Sequence, residues 1–271
     1  MAVVLIPLYL LMIISIPAVT ALAPVILVDA IWVKLLFAAM APVIYGLAYI
    51  LVAGILSLRH QHAIKPGRFK RSLSDPAYMH RRLYGLCWTS VYYFTPLYFV
   101  VLSIPMLKTA LFRLFGYRGN TDFTVYPDTW IRDLPLHSFG KGAYIANRAT
   151  LATNIVLGDG SLLVDKVHVG EGSLVGHLTM LAPGFHIGRQ SEVGVGTAIG
   201  LRTRLGDNVK IGPVSGIDNG AIVENGATVG TWCHVGSGAR VVAGARVPSG
   251  TNVPNRAVVE PSPIANKGDS Q

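Results

Sequence analysis

The chain has 271 residues, 51% of them apolar, and a formal net charge of +9 from 23 Lys and Arg against 14 Asp and Glu. A mean hydropathy of +0.48 is too apolar for a plain soluble domain of this length. Two cysteines, Cys87 and Cys233, give no basis for a disulfide framework. The basic residues flank apolar runs rather than forming one stripe with aromatics, so nucleic acid is not an expected partner.

The apolar residues concentrate at the front. Residues 1–58 hold only two charges, Asp29 and Lys34. Two apolar runs, 3–28 and 31–58, each exceed the ~20 residues that cross a ~30 Å hydrocarbon core. Residues 1–58 are therefore expected to form two transmembrane helices. A signal peptide followed by one anchor is the alternative. Against it, no basic stretch precedes the first run, and Pro24 follows Ala21-Leu22-Ala23.

The next block, 59–85, carries Arg59, Lys65, Arg68, Lys70, Arg71, Arg81 and Arg82 against the single acid Asp75. By the positive-inside rule it faces the cytoplasm, and it suits anionic lipid headgroups. Residues 86–115 are apolar and aromatic, but Pro96 and Pro105 interrupt them and their far end is again basic at Lys108, Arg113 and Arg118. An in-plane or re-entrant segment is expected in preference to a third crossing. Residues 116–138 read as a linker and 259–271 as a polar tail.

Between these, 139–258 repeat with a period of six. FGKGAY, IANRAT and LATNIV open a frame of 20 hexads. Every first position is Phe, Ile, Leu or Val, and fourteen second positions are Gly or Ala. Fifth positions are small or β-branched except Phe185 in LAPGFH, and Cys233 is one of them. This period fits neither a helix (3.6) nor a lone strand (2.0). It fits a solenoid whose short flat sides bury the first residue.

The hexads resemble the left-handed parallel β-helix of the hexapeptide-repeat transferases. The resemblance implies a mainly β fold of 18-residue triangular coils, six to seven in number here, preceded by an α-helical membrane domain. The Lys65–Lys70 stretch KPGRFK, the aromatic segment and LFRLFG at 111–116 together look like units at the carboxyl end of polylysine-synthetase-type peptide synthetases.

Histidines are the candidates for chemistry, because a general base for acyl transfer must offer an imidazole nitrogen to the attacking hydroxyl or amine. His177 stands third in VGHLTM, an outward position. VGHLTM resembles the hexad that carries the catalytic histidine in lipid A and sugar acyltransferases. Those enzymes often place Asp or Asn next, where this chain has Leu178. Asp159 is third in its own hexad 18 residues earlier, so it is expected one coil below His177 as orienter of the ring. His168 and His186, also 18 apart, are expected to stack. Two histidines fall short of a zinc site, so no metal is expected. His234 and His137 complete the set.

Family resemblance further implies an acyl thioester co-substrate, most simply acetyl-CoA, with Arg202, Arg204 and Lys210 as phosphate contacts; solvated surface charge explains these three equally. It also implies a homotrimer with shared sites. The expected activity is an integral inner-membrane acyltransferase, its β-helix on the cytoplasmic side, acting on a membrane-associated acceptor such as a lipid-linked glycan. Amide formation from a carrier-bound aminoacyl group, a non-catalytic trimeric scaffold, and a metalloenzyme like the γ-class carbonic anhydrases are the alternatives.

Overall fold

The computed structural model describes residues 2–261; most of the polar tail, 262–271, lies outside the described residues. Two compact units form. One gathers Met1–Thr121, Arg132–His137 and Ile155–Asp165; the other gathers Asp122–Ile131, Ser138–Asn154 and Lys166–Gln271.

The first unit is helical. Helices α1 (Ala2–Leu27) and α2 (Ile31–Leu58) are joined by three residues, which forces an antiparallel hairpin. Both are long and apolar enough to cross a membrane. Large apolar side chains stand exposed along them, among them Leu11, Val19 and Ile26 on α1 and Trp32, Leu36 and Leu47 on α2. A helix apolar all round needs an apolar surrounding rather than water.

Helix α3 (Pro76–Tyr93) starts where the Asp75 carboxylate accepts the Tyr78 N–H at 3.0 Å and Pro76 takes the first turn. The apolar run 86–115 is not one helix. It breaks into the end of α3, then α4 (Thr95–Ser103) and α5 (Pro105–Leu114), with α3 and α4 bent by 82°. Pro96 and Pro105 sit in the first turns of α4 and α5, where a missing N–H is tolerated but a continuing helix is not. The three helices pack on Trp88, whose ring meets Tyr98, Phe112 and Phe115 edge-on at 5.2–6.2 Å. A side chain at Gly54 would overlap Leu114, so glycine there lets α2 and α5 approach closely. Beneath α3, buried Arg81 pairs with buried Asp133 at 2.5 Å.

The second unit is the left-handed parallel β-helix, with three parallel faces of seven strands each. The first face begins at Thr124–Val125, the second at Trp130–Ile131 and the third at His137–Phe139. Two expectations need correction here. The stretch 116–138 is not wholly a linker, because the first coil lies within it. Its hexad rhythm is broken: Ile131 and Phe139 are eight residues apart instead of six, and the extra residues carry Asp133 in the left-handed region at φ 60°.

Nor is the frame of 20 hexads unbroken in space. Met180 pairs with Thr150 and Leu174 with Tyr144, thirty residues apart, whereas Ala198 pairs with Met180 at eighteen. Two hexads have left the stack. Their strands, Asn154–Val156 and Leu162–Val164, form a hairpin, and Gly67–Phe69 pairs antiparallel with the latter. KPGRFK thus supplies a strand.

Within the solenoid most hexads turn at their fourth residue, held at positive φ. Glycine serves at many corners, but Leu178, Val214 and Trp232 do so at φ 55–57°. Buried hydroxyls at fifth positions are satisfied by the next coil: Ser173 Oγ donates to the Gly188 carbonyl at 2.6 Å and Ser215 Oγ to that of Gly230 at 2.9 Å. Cys233 takes the same role, Sγ to the Pro248 carbonyl at 3.0 Å.

Candidate functional site

His177 is exposed at the corner between the first and second faces, between strands Leu174–Val175 and Met180–Leu181. Its carbonyl accepts the Gly196 N–H at 2.8 Å from the coil above. From below, the Asn147 carbonyl accepts the Leu178 N–H at 3.2 Å. Asn147, not Asp159, is therefore the residue beneath His177.

Asp159 is in the excursion. It forms an ion pair with Arg68, and its Oδ1 accepts from Ser161 N at 3.1 Å and Ser161 Oγ at 2.6 Å. These bonds, Ser161 first and Arg68 after, hold its carboxyl down at about 2. It is a turn-and-strand clamp for the hairpin. Its expected role as orienter of His177 fails because the period of six survives a two-hexad detour unchanged.

The corner above His177 is apolar. Leu178, Val214 and Trp232 succeed one another every eighteen or thirty-six residues, and Val195 and Met180 stand beside them; all five are exposed, Trp232 at 71%. A left-handed backbone is costly for large and β-branched residues; other corners hold glycine or, at Arg148, Gln190, Arg202, Asn208 and Arg256, a polar residue. The row is exposed, and its three corner residues hold a conformation that costs them more than it would glycine.

The third face carries a polar column. His168 and His186 stack with ring centroids 4.4 Å apart and planes 11° off parallel, as their spacing predicts. Burial lowers both from the usual histidine value, with His186 pressing further on His168 and Arg204 on His186. Above them a cavity of about 450 Å³ is bordered by His186, Arg204, Asp207, Glu224 and Asn225. Arg240 is drawn to Glu224 and Arg189 to Asp207, the latter at 3.0 Å. Among the described residues no group of three or more His, Cys, Asp or Glu is placed to hold a metal ion.

The three expected phosphate contacts do not converge. Arg204 projects from the third face, Arg202 stands at the corner before it, and Lys210 projects from the first face against Glu192 below and Thr228 above. Arg204 and Arg240 fall two coils apart in one column, and Lys210 and Arg246 in another, as the period requires.

His234 has a carboxylate beside it. Its Nε2 lies 3.1 Å from Asp218 Oδ2 and its Nδ1 3.0 Å from Asn252 Oδ1. Asn252 first and Asp218 after raise its pKa. With both nitrogens engaged, this ring has neither free to act as a base. His137 is buried in the first coil, with Nδ1 3.3 Å from the Asp133 carbonyl.

One cluster escaped sequence reasoning. In the helical unit His60 Nδ1 and His80 Nδ1 are 2.7 Å apart, and Tyr9 Oη is 2.8 Å from His60 Nε2. The His-Gln-His triplet at 60–62 was its only local sign, since Tyr9 and His80 come from 51 residues before and 20 after His60.

No protein-family model and no curated protein sequence matches the chain. The chain is similar to parts of several solved structures. PerB from Caulobacter crescentus, in complex with CoA and GDP-perosamine, is 21% identical over 48% of this chain and 52% of that one, with TM-score 0.32. The acetyltransferase domain of PglB from Neisseria gonorrhoeae, in complex with acetyl coenzyme A, is 17% identical over 58% and 64%, with TM-score 0.30. LpxA from Acinetobacter baumannii is 13% identical over 52% and 66%, with TM-score 0.25. The chain spans about half the length of the first of these.

Proposed function

We propose that this chain is a membrane-anchored acyltransferase of the hexapeptide-repeat kind, with His177 as general base. The observation that carries the reading is the corner itself: an exposed imidazole on a rigid turn, beside a strained apolar row that a neighbouring solenoid would cover. A three-sided prism packs well around a three-fold axis, and a homotrimer joined along this corner would place each His177 at a boundary between two chains.

In the reaction, His177 takes the proton of an acceptor hydroxyl or amine as that atom attacks the thioester carbonyl of acetyl-CoA. The oxyanion forms against backbone N–H groups of the groove. The C–S bond then breaks, and the departing thiolate recovers the proton from the imidazolium. Exposed cations on the solenoid, Arg202, Arg204 and Lys210, are offered to the phosphates of the donor. Because they occupy different faces, Lys210 of one chain would act beside a neighbouring chain rather than with its own Arg204.

Helices α1 and α2 would cross the inner membrane, and the basic residues after α2 favour a cytoplasmic position for that end. Helices α4 and α5, nine and ten residues long, reach about 13–15 Å each, half of a hydrocarbon core. We therefore read 86–115 as re-entrant or in-plane, which keeps the solenoid on the cytoplasmic side. Confinement to the membrane suits an acceptor carried on lipid, such as a lipid-linked glycan.

The test is thiol release from acetyl-CoA by the purified chain with lipid-linked aminosugar and sugar acceptors. His177→Ala should lower turnover by roughly 10²–10⁴, the usual range for losing a general base. Unchanged turnover in that variant would refute the assignment.

A further inference from the structure

A cavity of about 750 Å³ opens in the helical unit, well away in sequence from the hexads. Its polar rim is Tyr9, Arg59, His60, Ser74 and His80. Its apolar wall includes Leu5, Met79 and Leu83, part of one packed cluster. No carboxylate lines it, and Arg59 has no ion-pair partner among the described residues.

The rim is wired. If the Tyr9 hydroxyl donates to His60 Nε2, the His60 proton sits on Nδ1 and donates to His80 Nδ1. His80 then carries its own proton on Nε2. If the relay runs the other way, His80 donates to His60, His60 donates to Tyr9, and the Tyr9 hydroxyl is left to donate outward. Either sense leaves one N–H or O–H donor at an end of the chain. Burial first, then His80, Arg59 and His62, holds His60 down at about 4, so the relay is uncharged near neutrality.

The position adds the third element. Arg59 and His60 follow the last residue of α2, and Leu5 and Tyr9 lie in the first turns of α1, so the cavity marks one end of the helical hairpin. A cation and hydrogen-bonding side chains in a lining that is otherwise apolar fit an anion that carries a hydrocarbon chain.

We propose that this cavity binds a phosphate borne on a membrane lipid, with the phosphate on Arg59, Ser74 and the relay donor and the first carbons of the chain along Leu5, Met79 and Leu83. The proposal rests on the membrane placement of α1 and α2 given above. It names a lipid site apart from the His177 corner.

The experiment is calorimetric binding of farnesyl phosphate to the full chain in detergent, with farnesol and inorganic phosphate as the two halves. The expected result is one farnesyl phosphate per chain, with each half at least tenfold weaker. Arg59→Ala should weaken binding at least tenfold, and Ser74→Glu, which sets a carboxylate at the mouth, should abolish it. Arg82→Ala, an exposed cation of the same segment outside this cavity, should bind as wild type. Absence of binding, equal binding of inorganic phosphate, or unchanged binding by Arg59→Ala would each overturn the proposal. Carbonate extraction of the chain from membranes reads the membrane placement separately: retention supports it and release overturns it, whatever the calorimetry shows.

Discussion

The Leu178 N–H donates to the Asn147 carbonyl across 31 residues, whereas the Gly196 N–H reaches the His177 carbonyl across 19. That difference of two hexads removes Asp159 from the column of His177 and sets Asn147 there. It separates two mutations that the repeat alone would couple. His177→Ala should cost roughly 10²–10⁴ in kcat, while Asp159→Asn should leave kcat within about twofold of wild type. Steady-state thiol release for the two variants checks this; a collapse of kcat in Asp159→Asn would return that residue to the site.

The apolar corner gives the second prediction. Trp232→Glu replaces a 71% exposed ring at φ 55° with a charge in the row Leu178, Val214, Trp232. The isolated fold should be little affected, because nothing buried is lost. Sedimentation should show a trimer for wild type and smaller species for the variant, with activity falling in parallel. A variant that stays trimeric would remove this corner from the interface.

Much of the solenoid was legible because its rule is local. One apolar first residue per hexad forces a buried face, and the stacks of His168 on His186 and of Arg204 below Arg240 follow from counting. The detour at 154–165 was not legible, because twelve residues are two full periods and leave the phase intact. The first coil was hidden for the opposite reason: two extra residues around Asp133 shift the phase before Phe139 restores it. The partner of Arg81 could not be read at all, since a buried ion pair 52 residues apart leaves no periodic trace. The same holds for the relay of Tyr9, His60 and His80.

That ion pair carries the third prediction. Arg81 and Asp133 are 2% and 0% exposed. Asp133→Asn keeps the shape and a residue type that accepts φ 60°, but it strips the guanidinium of its buried counter-charge. The cost should be about 3–5 kcal/mol. Adding Arg81→Met should recover most of it, since the stranded charge is then gone. Denaturant melts of the single and double variants in detergent measure both steps; an Asp133→Asn variant as stable as wild type would contradict the buried pairing.

The fourth concerns pH. His60 titrates at about 4 in the fold against about 6.5 unfolded, so the unfolded chain binds the extra proton. The stabilisation is complete above about 6.5 and is lost as pH falls from there toward 4. With screening at the open cavity the loss should be about 1–2 kcal/mol. His60→Gln should flatten that part of the stability–pH curve. His234, whose pKa is raised, acts in the opposite sense and weakens the solenoid only as pH rises through its folded value.

The most direct test of the central claim is calorimetry of acetyl-CoA binding to the detergent-purified chain, for wild type and His177→Ala. The account predicts binding of micromolar order by both, about −8 kcal/mol, because His177 acts on the acceptor's proton and not on the donor. Binding by neither would contradict an acetyl-CoA-dependent transferase and leave a carrier-bound donor or a scaffold in its place.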